Sequence, residues 1–244
     1  MFGQADSTVT IRHVMTLTPS RPDEENPTSL RSTYYVHMDM RRIDSLDKGG
    51  RVSFTRINDC ATREGLIADP LSREYRTFKL PRQWTDQQVQ EYIEKHPADA
   101  VRIESRTGAT SEKKVVFGFT AKHFITTIER PMKNGIGGSE VVDAWYIEHG
   151  RIECPSTRSL PGELSGAILV DYPELPDMHH VGPIPTGSPV EMTITTKWAG
   201  GRHGSGSTSK SEWSVESISD SAIDPKTFDV PTGFRVNPDL LKPR

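Results

Sequence analysis

The chain has 244 residues and a mass of 27.3 kDa, enough for one large β or α/β domain or two ordinary ones. Hydrophobic residues make up 34 %, and no apolar run approaches the roughly 20 residues of a membrane-spanning helix, so no transmembrane segment is expected. Thirty basic against thirty-three acidic residues give a net charge of −3 without a single-sign block. Phosphate-backbone attraction has no footprint there, and a nucleic-acid partner is disfavoured.

Residues 1–7 contain no basic segment followed by an apolar one, the pattern of an intact secretory signal. Phe2-Gly3-Gln4-Ala5-Asp6 also reads as what remains after a signal is removed, with Met1 added. The first reading leaves a cytoplasmic protein open, and the second gives a periplasmic or secreted one. Cys60 and Cys154 are the two cysteines. A bridge between them would close a loop of about 93 residues, worth on the order of 4 kcal/mol in the chain-entropy view; two unrelated thiols are the alternative.

Period-2 alternation dominates the chain, the mark of strands with one buried face. Val9, Ile11, Met15 and Leu17 alternate with polar residues, and Tyr34, Val36, Met38 and Met40 do the same in one continuous phase. A shorter strand is expected over Arg51 to Asn58. Next comes a hairpin of Leu66-Ile67-Ala68 and Tyr75 to Leu80 around Asp69-Pro70-Leu71-Ser72. Thr85 as N-cap with Gln88 three residues on, and Val89, Tyr92, Ile93 and His96 on one face before Pro97, predict a helix over Asp86 to Lys95. Val115, Phe117, Phe119, Ala121 and Ile125 predict one long strand, turned at Asn134-Gly135 and Gly137-Gly138 into a return over Val141 to Glu148. Pro155 to Pro189 reads as an irregular excursion with one short strand at Ile168-Leu169-Val170. Val190 to Trp198 and Trp213 to Ile218 form a third hairpin around the loop Gly200 to Ser211. With no repeat and no sharp composition shift, residues 1–244 read as a single, mainly antiparallel β domain, α+β by its helix.

Catalytic and metal motifs are scarce. The glycine-rich loop at Gly200 to Gly206 lies between strands, whereas a nucleotide fingerprint needs a helix after it. There is no G-x-S-x-G, H-E-x-x-H or C-x-x-C. His179-His180 beside Asp177 has no third ligand at fixed spacing, and Cys154 near His149 lacks an oriented base. Neither cofactor nor metal nor catalytic residue is therefore expected. Within the strands His13 and His123 share the phase of the apolar residues, Arg42 continues the Tyr34–Met40 face, and Arg56 follows Val52 and Phe54. Either the phase breaks at a bulge or strand end and these groups reach water, or the apolar face lines a cavity where arginine meets an anion.

The C-terminal stretch Ser217-Ile218-Ser219-Asp220 through Phe228-Asp229-Val230-Pro231-Thr232-Gly233-Phe234 resembles the ending of lipoprotein-carrier-like proteins. There a last strand V-x-x-I precedes F-x-x-P-x-G and an aromatic residue. Leu66-Ile67-Ala68-Asp69 with Tyr75-Arg76-Thr77-Phe78, Val116 to Phe124, and Asp143-Ala144-Trp145-Tyr146-Ile147 fit the same plan over most of Leu66 to Phe234. The resemblance implies a curved, half-barrel antiparallel sheet covered by one or a few helices, with an apolar concavity for acyl chains or an apolar segment, and no enzyme.

The leading expectation is an envelope protein holding a hydrophobic or amphipathic ligand, a lipid or acyl chain. The ligand-binding candidates are Tyr34, Val36, Met38, Met40, Phe117, Phe119, Met192 and Ile194, with Arg42 or Arg56 at the rim to select an anionic head group. An interaction module of an envelope complex, its core filled by its own side chains, is the alternative. A hydrolase with a dispersed site of Asp, Glu and His is the third.

Overall fold

The computed structural model describes residues 9–18, 28–80, 86–97, 101–133, 136–149, 154, 176–199 and 207–240. Among them thirteen strands form one sheet. In chain order they are β1 (Val9–Thr18), β2 (Thr28–His37), β3 (Met40–Leu46), β4 (Val52–Asp59), β5 (Glu64–Asp69), β6 (Glu74–Lys79), β7 (Val101–Val116), β8 (Phe119–Lys133), β9 (Ile136–Ile147), β10 (Pro176–Val181), β11 (Ser188–Ala199), β12 (Ser207–Ser219) and β13 (Arg235–Val236). Their spatial order is β10-β7-β8-β9-β11-β12-β1-β2-β3-β4-β5-β6-β13. The sheet is open: β10 and β13 are its two edges, each paired in parallel, and every other pairing is antiparallel.

The expected helix is present as α1 (Asp86–Lys95). It is the one α-helix among the described residues, beside a 3-10 turn at Pro225–Phe228. None of its described side chains is buried, Tyr92 and Ile93 being half-covered. The expectation of one or a few covering helices is thus corrected: the described part of the chain is a sheet with almost no helix. The hairpin of β5 and β6 is as expected, and Asp69 organises its turn by accepting from the Leu71 N–H and the Ser72 hydroxyl. The Asn134-Gly135 turn, the Ile168–Val170 strand and residues 200–206 of the expected Gly200–Ser211 loop lie outside the described residues, while Ser207 to Ser211 are not loop but the start of β12.

Two sequence phases fail for one reason. What reads as a single strand from Tyr34 to Arg42 is β2 and β3, joined by the two-residue turn Met38–Asp39, with Met38 at φ 47°. What reads as a strand from Val115 to Ile125 is the end of β7 and the start of β8, turned through Phe117 and Gly118 at φ 52° and 83°. Such tight turns favour Asn-Gly or Asp-Gly, so a bulky first residue hides them from a reader of patterns. Gly137-Gly138, in contrast, pair within β9 and make no turn.

Paired residues of antiparallel strands share a face, so the register can be followed across the sheet. One face, the core face, carries Tyr34 and Val36 of β2, Trp213 and Val215 of β12, Met192 and Ile194 of β11, Val142, Ala144 and Tyr146 of β9, and Phe124 and Ile128 of β8. All of these belong to or pack on one buried cluster. The reverse face holds a smaller cluster of Ile57, Leu66, Ala68 and Phe228, with Tyr35, Met40 and Tyr75 against it. Phe228 comes from the 3-10 turn, which Asp224 caps by accepting from the Lys226 N–H.

The two cysteines pair. Cys60, in the β4–β5 turn, is bridged to Cys154 with their Cα atoms 5.2 Å apart, so of the two alternatives it is the disulfide that the fold realises. Asp59 builds that turn by accepting from the Ala61 and Thr62 N–H groups. The Thr62 N–H first, then the Thr62 side chain and the Ala61 N–H, hold the Asp59 carboxyl below its ordinary range against partial desolvation.

Candidate functional site on the core face

The sequence offers ten candidates, and the register brings five together. Tyr34, Val36, Arg56, Met192 and Ile194 lie on the core face, all but the half-covered Ile194 buried. Met38 and Phe117 do not join them, because each sits at a hairpin tip, 59 % and 44 % exposed. Met40 and Arg42 fall on the reverse face, since the Met38–Asp39 turn inverts the phase. Arg42 bonds Asp44 through Nε at 2.9 Å and donates to the Thr227 carbonyl, a structural tie at the reverse face. Phe119 also lies in the opposite phase and stacks on His149 with ring centroids 4.3 Å apart.

The core face changes character along the sheet. Its centre, from β8 to β2, is apolar. Over β3 to β6 it becomes cationic, and the register makes the pattern explicit: Arg41 faces Asn58, Ile43 faces Arg56, Arg56 faces Ile67, and Ile67 faces Arg76. Arg56 is only 8 % exposed. Its Nε donates to Asn58 Oδ1 at 3.1 Å, and its guanidinium lies 5.4 Å from the centroid of the Phe78 ring, in cation–π range. Arg41 is turned to its own hairpin, donating to the carbonyls of Met38 and Met40. Arg76 Nε is buried with no hydrogen-bond partner among the described residues.

Phe78 reaches Arg56 because Gly65 lies between them without a side chain. A Cβ at Gly65 would stand 2.3 Å from the ring. Gly65→Ala is therefore expected to push Phe78 off β5 and to cost about 1–3 kcal/mol by overpacking. Urea unfolding measures the loss, and an undiminished stability would show that the ring has somewhere else to go.

At the other flank the core face is hydroxyl-rich. Thr107 and Thr126 share a hydrogen bond of 2.8 Å, and Ser105 Oγ lies 2.8 Å from His180 Nδ1. His180 Nε2 is buried and, among the described residues, has no hydrogen-bond partner. A Ser–His pair is where a hydrolase would begin, but no described carboxylate meets that second nitrogen. Apart from the His149–Asp220 pair at 2.8 Å, a carboxylate–histidine cluster lies on the reverse face. Pairing of β7 with β8 slips between Ala109 and Lys113, and this bulge brings Thr110 and Glu112 to His123. Glu112 lies 2.9 Å from Nδ1, Asp143 2.7 Å from Nε2, and Trp145 stacks on the ring at 4.6 Å. Both ring nitrogens are thus engaged by carboxylates within the cluster. Among the described residues no three His, Cys, Asp or Glu side chains gather as a metal site.

Arg76 and Phe78 enter the sequence reading only within the resemblance, and His180 only as half of the His179-His180 metal candidate; none of the three is among the ligand-binding candidates. Arg76 and Phe78 alternate within β6 as any edge-near strand does, and His180 belongs to β10, inside a stretch that reads as irregular. The available signal was the phase itself: Phe54-x-Arg56 and Arg76-x-Phe78 each put a guanidinium and an aromatic ring on one face.

No helix among the described residues is long and apolar enough to cross a membrane. No protein-family model matches the chain, and no curated protein matches it. Solved structures with a similar course include an "uncharacterized conserved protein" of Thermus thermophilus, at 8 % identity and a TM-score of 0.42 over 95 % of this chain and 90 % of that one. Another is a "putative outer membrane lipoprotein-sorting protein domain" of Vibrio parahaemolyticus, at 8 % identity and 0.32 over 91 % and 89 %. These are distant likenesses in the overall path of the chain.

Proposed function

We propose that the chain is a non-enzymatic binding protein of the cell envelope, whose sheet curls into a half-barrel and holds an anionic amphipathic ligand on its core face. The acyl or other apolar part lies along Tyr34, Val36, Met192 and Ile194, and the anionic end meets the guanidinium flank of Arg56 and Arg76. The observation that carries this reading is Arg76 Nε, a buried donor with no partner among the described residues, on the face it shares with the apolar strip. A buried donor left unmet is costly, and a carboxylate or phosphate meets a guanidinium with two charge-assisted bonds. The polar flank on β7 and β10 would border the same trough, with His180 Nε2 as its unmet group.

Curling is supported by the disulfide. In the sheet order β9 and β4 are six spacings apart, about 29 Å if flat at about 4.8 Å each. The seven residues from Ile147 to Cys154 span at most about 25 Å, so a flat sheet would leave the bridge at the limit of reach. An oxidising compartment, the periplasm or the exterior, fits a chain whose two cysteines are joined.

A specific observation favours a second reading. Tyr34, Val36 and Met192 are already buried, as in an interaction module whose interior is filled by its own side chains. Displacement of a fluorescent fatty acid separates the two. The wild type is expected to bind it, Ile194→Trp to weaken binding by about tenfold through filling the trough, and Arg76→Met to weaken the acid but not the matching alcohol. No binding by the wild type, or equal loss of acid and alcohol in Arg76→Met, would leave the filled module as the better account.

A further inference from the structure

The end of the sheet that carries the β7–β8 turn has features that ligand binding on the core face does not use. Phe117 occupies the first position of a two-residue turn at φ 52°, followed by Gly118 at 83°. A bulky side chain is disfavoured in this left-handed region, where Asn, Asp or Gly is the ordinary choice. The ring is 44 % exposed at the tip, and Val115 beside it is 73 % exposed. Residues 113 to 122 read KKVVFGFTAK, with lysines and no acid. Lys122 makes a surface ion pair with Glu148, of the kind that can exchange for other anions; Lys114, partly covered, pairs with Glu191 and lies 4.3 Å from the centroid of the Trp145 ring, and Lys113 is exposed.

Met38 repeats the pattern on a second hairpin, at φ 47° and 59 % exposed. Successive antiparallel pairing from β8 through β9, β11, β12 and β1 to β2 brings both turns to the same end of the sheet.

We propose that this end of the sheet docks on an anionic phospholipid bilayer, with Phe117 and Val115 entering the head-group region and Lys113, Lys114 and Lys122 among the phosphates. Met38 supplies a second point of contact. Two narrow apolar tips separated by four strands make no continuous patch for a shaped protein pocket. They suit a planar, deformable surface, and the lysines of residues 113–122 around the turn are complementary to negative lipid.

The test is co-sedimentation of the purified protein with phosphatidylcholine vesicles with and without phosphatidylglycerol. Binding is expected to the anionic vesicles and to weaken with salt. Phe117→Asn should lower that partitioning by about tenfold, and Met38→Asn should lower it further. Because Asn accepts positive φ, Phe117→Asn should melt no lower than the wild type. Failure of the wild type to bind anionic vesicles, or unchanged binding by Phe117→Asn, overturns the proposal. So does a lowered melting temperature in that variant, which would make Phe117 a structural residue. A concentration-dependent dimer abolished by Phe117→Asn, without vesicle binding, would assign the tip to a second copy of the chain instead. Fatty-acid displacement, which reads the core face, is expected to be the same in Phe117→Asn and wild type.

Discussion

Removing the Cys60–Cys154 bridge, by reduction or as the pair Cys60→Ser and Cys154→Ser, is expected to destabilise the protein by about 4–5 kcal/mol. The two residues are 94 apart in sequence, so the reduced unfolded chain regains the freedom of a long loop. For a chain of this length each kcal/mol moves the midpoint by about 2–4 °C, and the melting temperature should fall by roughly 10–15 °C. The bridge also joins strands that are not neighbours, fastening the β4–β5 turn to the chain beyond β9 with β11, β12, β1, β2 and β3 between them in the sheet. Calorimetry with and without reductant, and urea unfolding of the double variant, measure the effect. The far-ultraviolet spectrum of the reduced protein should stay that of a sheet. A loss below about 1 kcal/mol would mean that the unfolded chain stays compact enough for the crosslink to restrict it little.

The bridge also shows where a sequence stops being informative. Pairing of Cys60 with Cys154 follows from the path of the chain along the end of the sheet, and two cysteines alone do not encode that path. Strand alternation was legible where a strand had one buried face, as in β11 and β12, and so was α1 from its period. It misled at Met38 and Phe117, where a turn residue of the wrong type preserved the apolar rhythm across a reversal of direction. The consequence for the site was direct, because a reversal inverts the phase: Met40 and Arg42 moved to the reverse face, and Arg56, one strand on, stayed on the core face. Most of β7 was missed because Glu104, Arg106, Lys113 and Lys114 dilute its pattern, and its bulge at residues 110–112 shifts the phase midway. The short edge strand β10 is hidden by the Pro- and Gly-rich stretch around it.

The reassignment of Arg42 leads to the other large effect. Asp44 is buried on the reverse face, where one oxygen accepts from Arg42 Nε at 2.9 Å and from Thr55 Oγ1 at 2.7 Å. Arg42 then donates to the Thr227 carbonyl, so the carboxylate orients the arginine that holds the Pro225–Phe228 turn, and that turn delivers Phe228 to the second cluster. Asp44→Ala removes the acceptor from a largely covered guanidinium and from a buried hydroxyl together, and should cost about 3–5 kcal/mol. Asp44→Asn keeps an acceptor for Thr55 but loses the charge opposite Arg42, and should cost less. If the pair acts as one unit, Arg42→Met with Asp44→Leu should destabilise by clearly less than the two single changes added together, because neither polar partner is then left stranded. Urea unfolding of the four proteins closes that cycle, while limited proteolysis near residues 224–229 reports whether the turn detaches. Additive losses, with the turn equally protected in Asp44→Ala, would show that Phe228 holds the turn by packing alone and that the Arg42–Asp44 pair stabilises only its own strand.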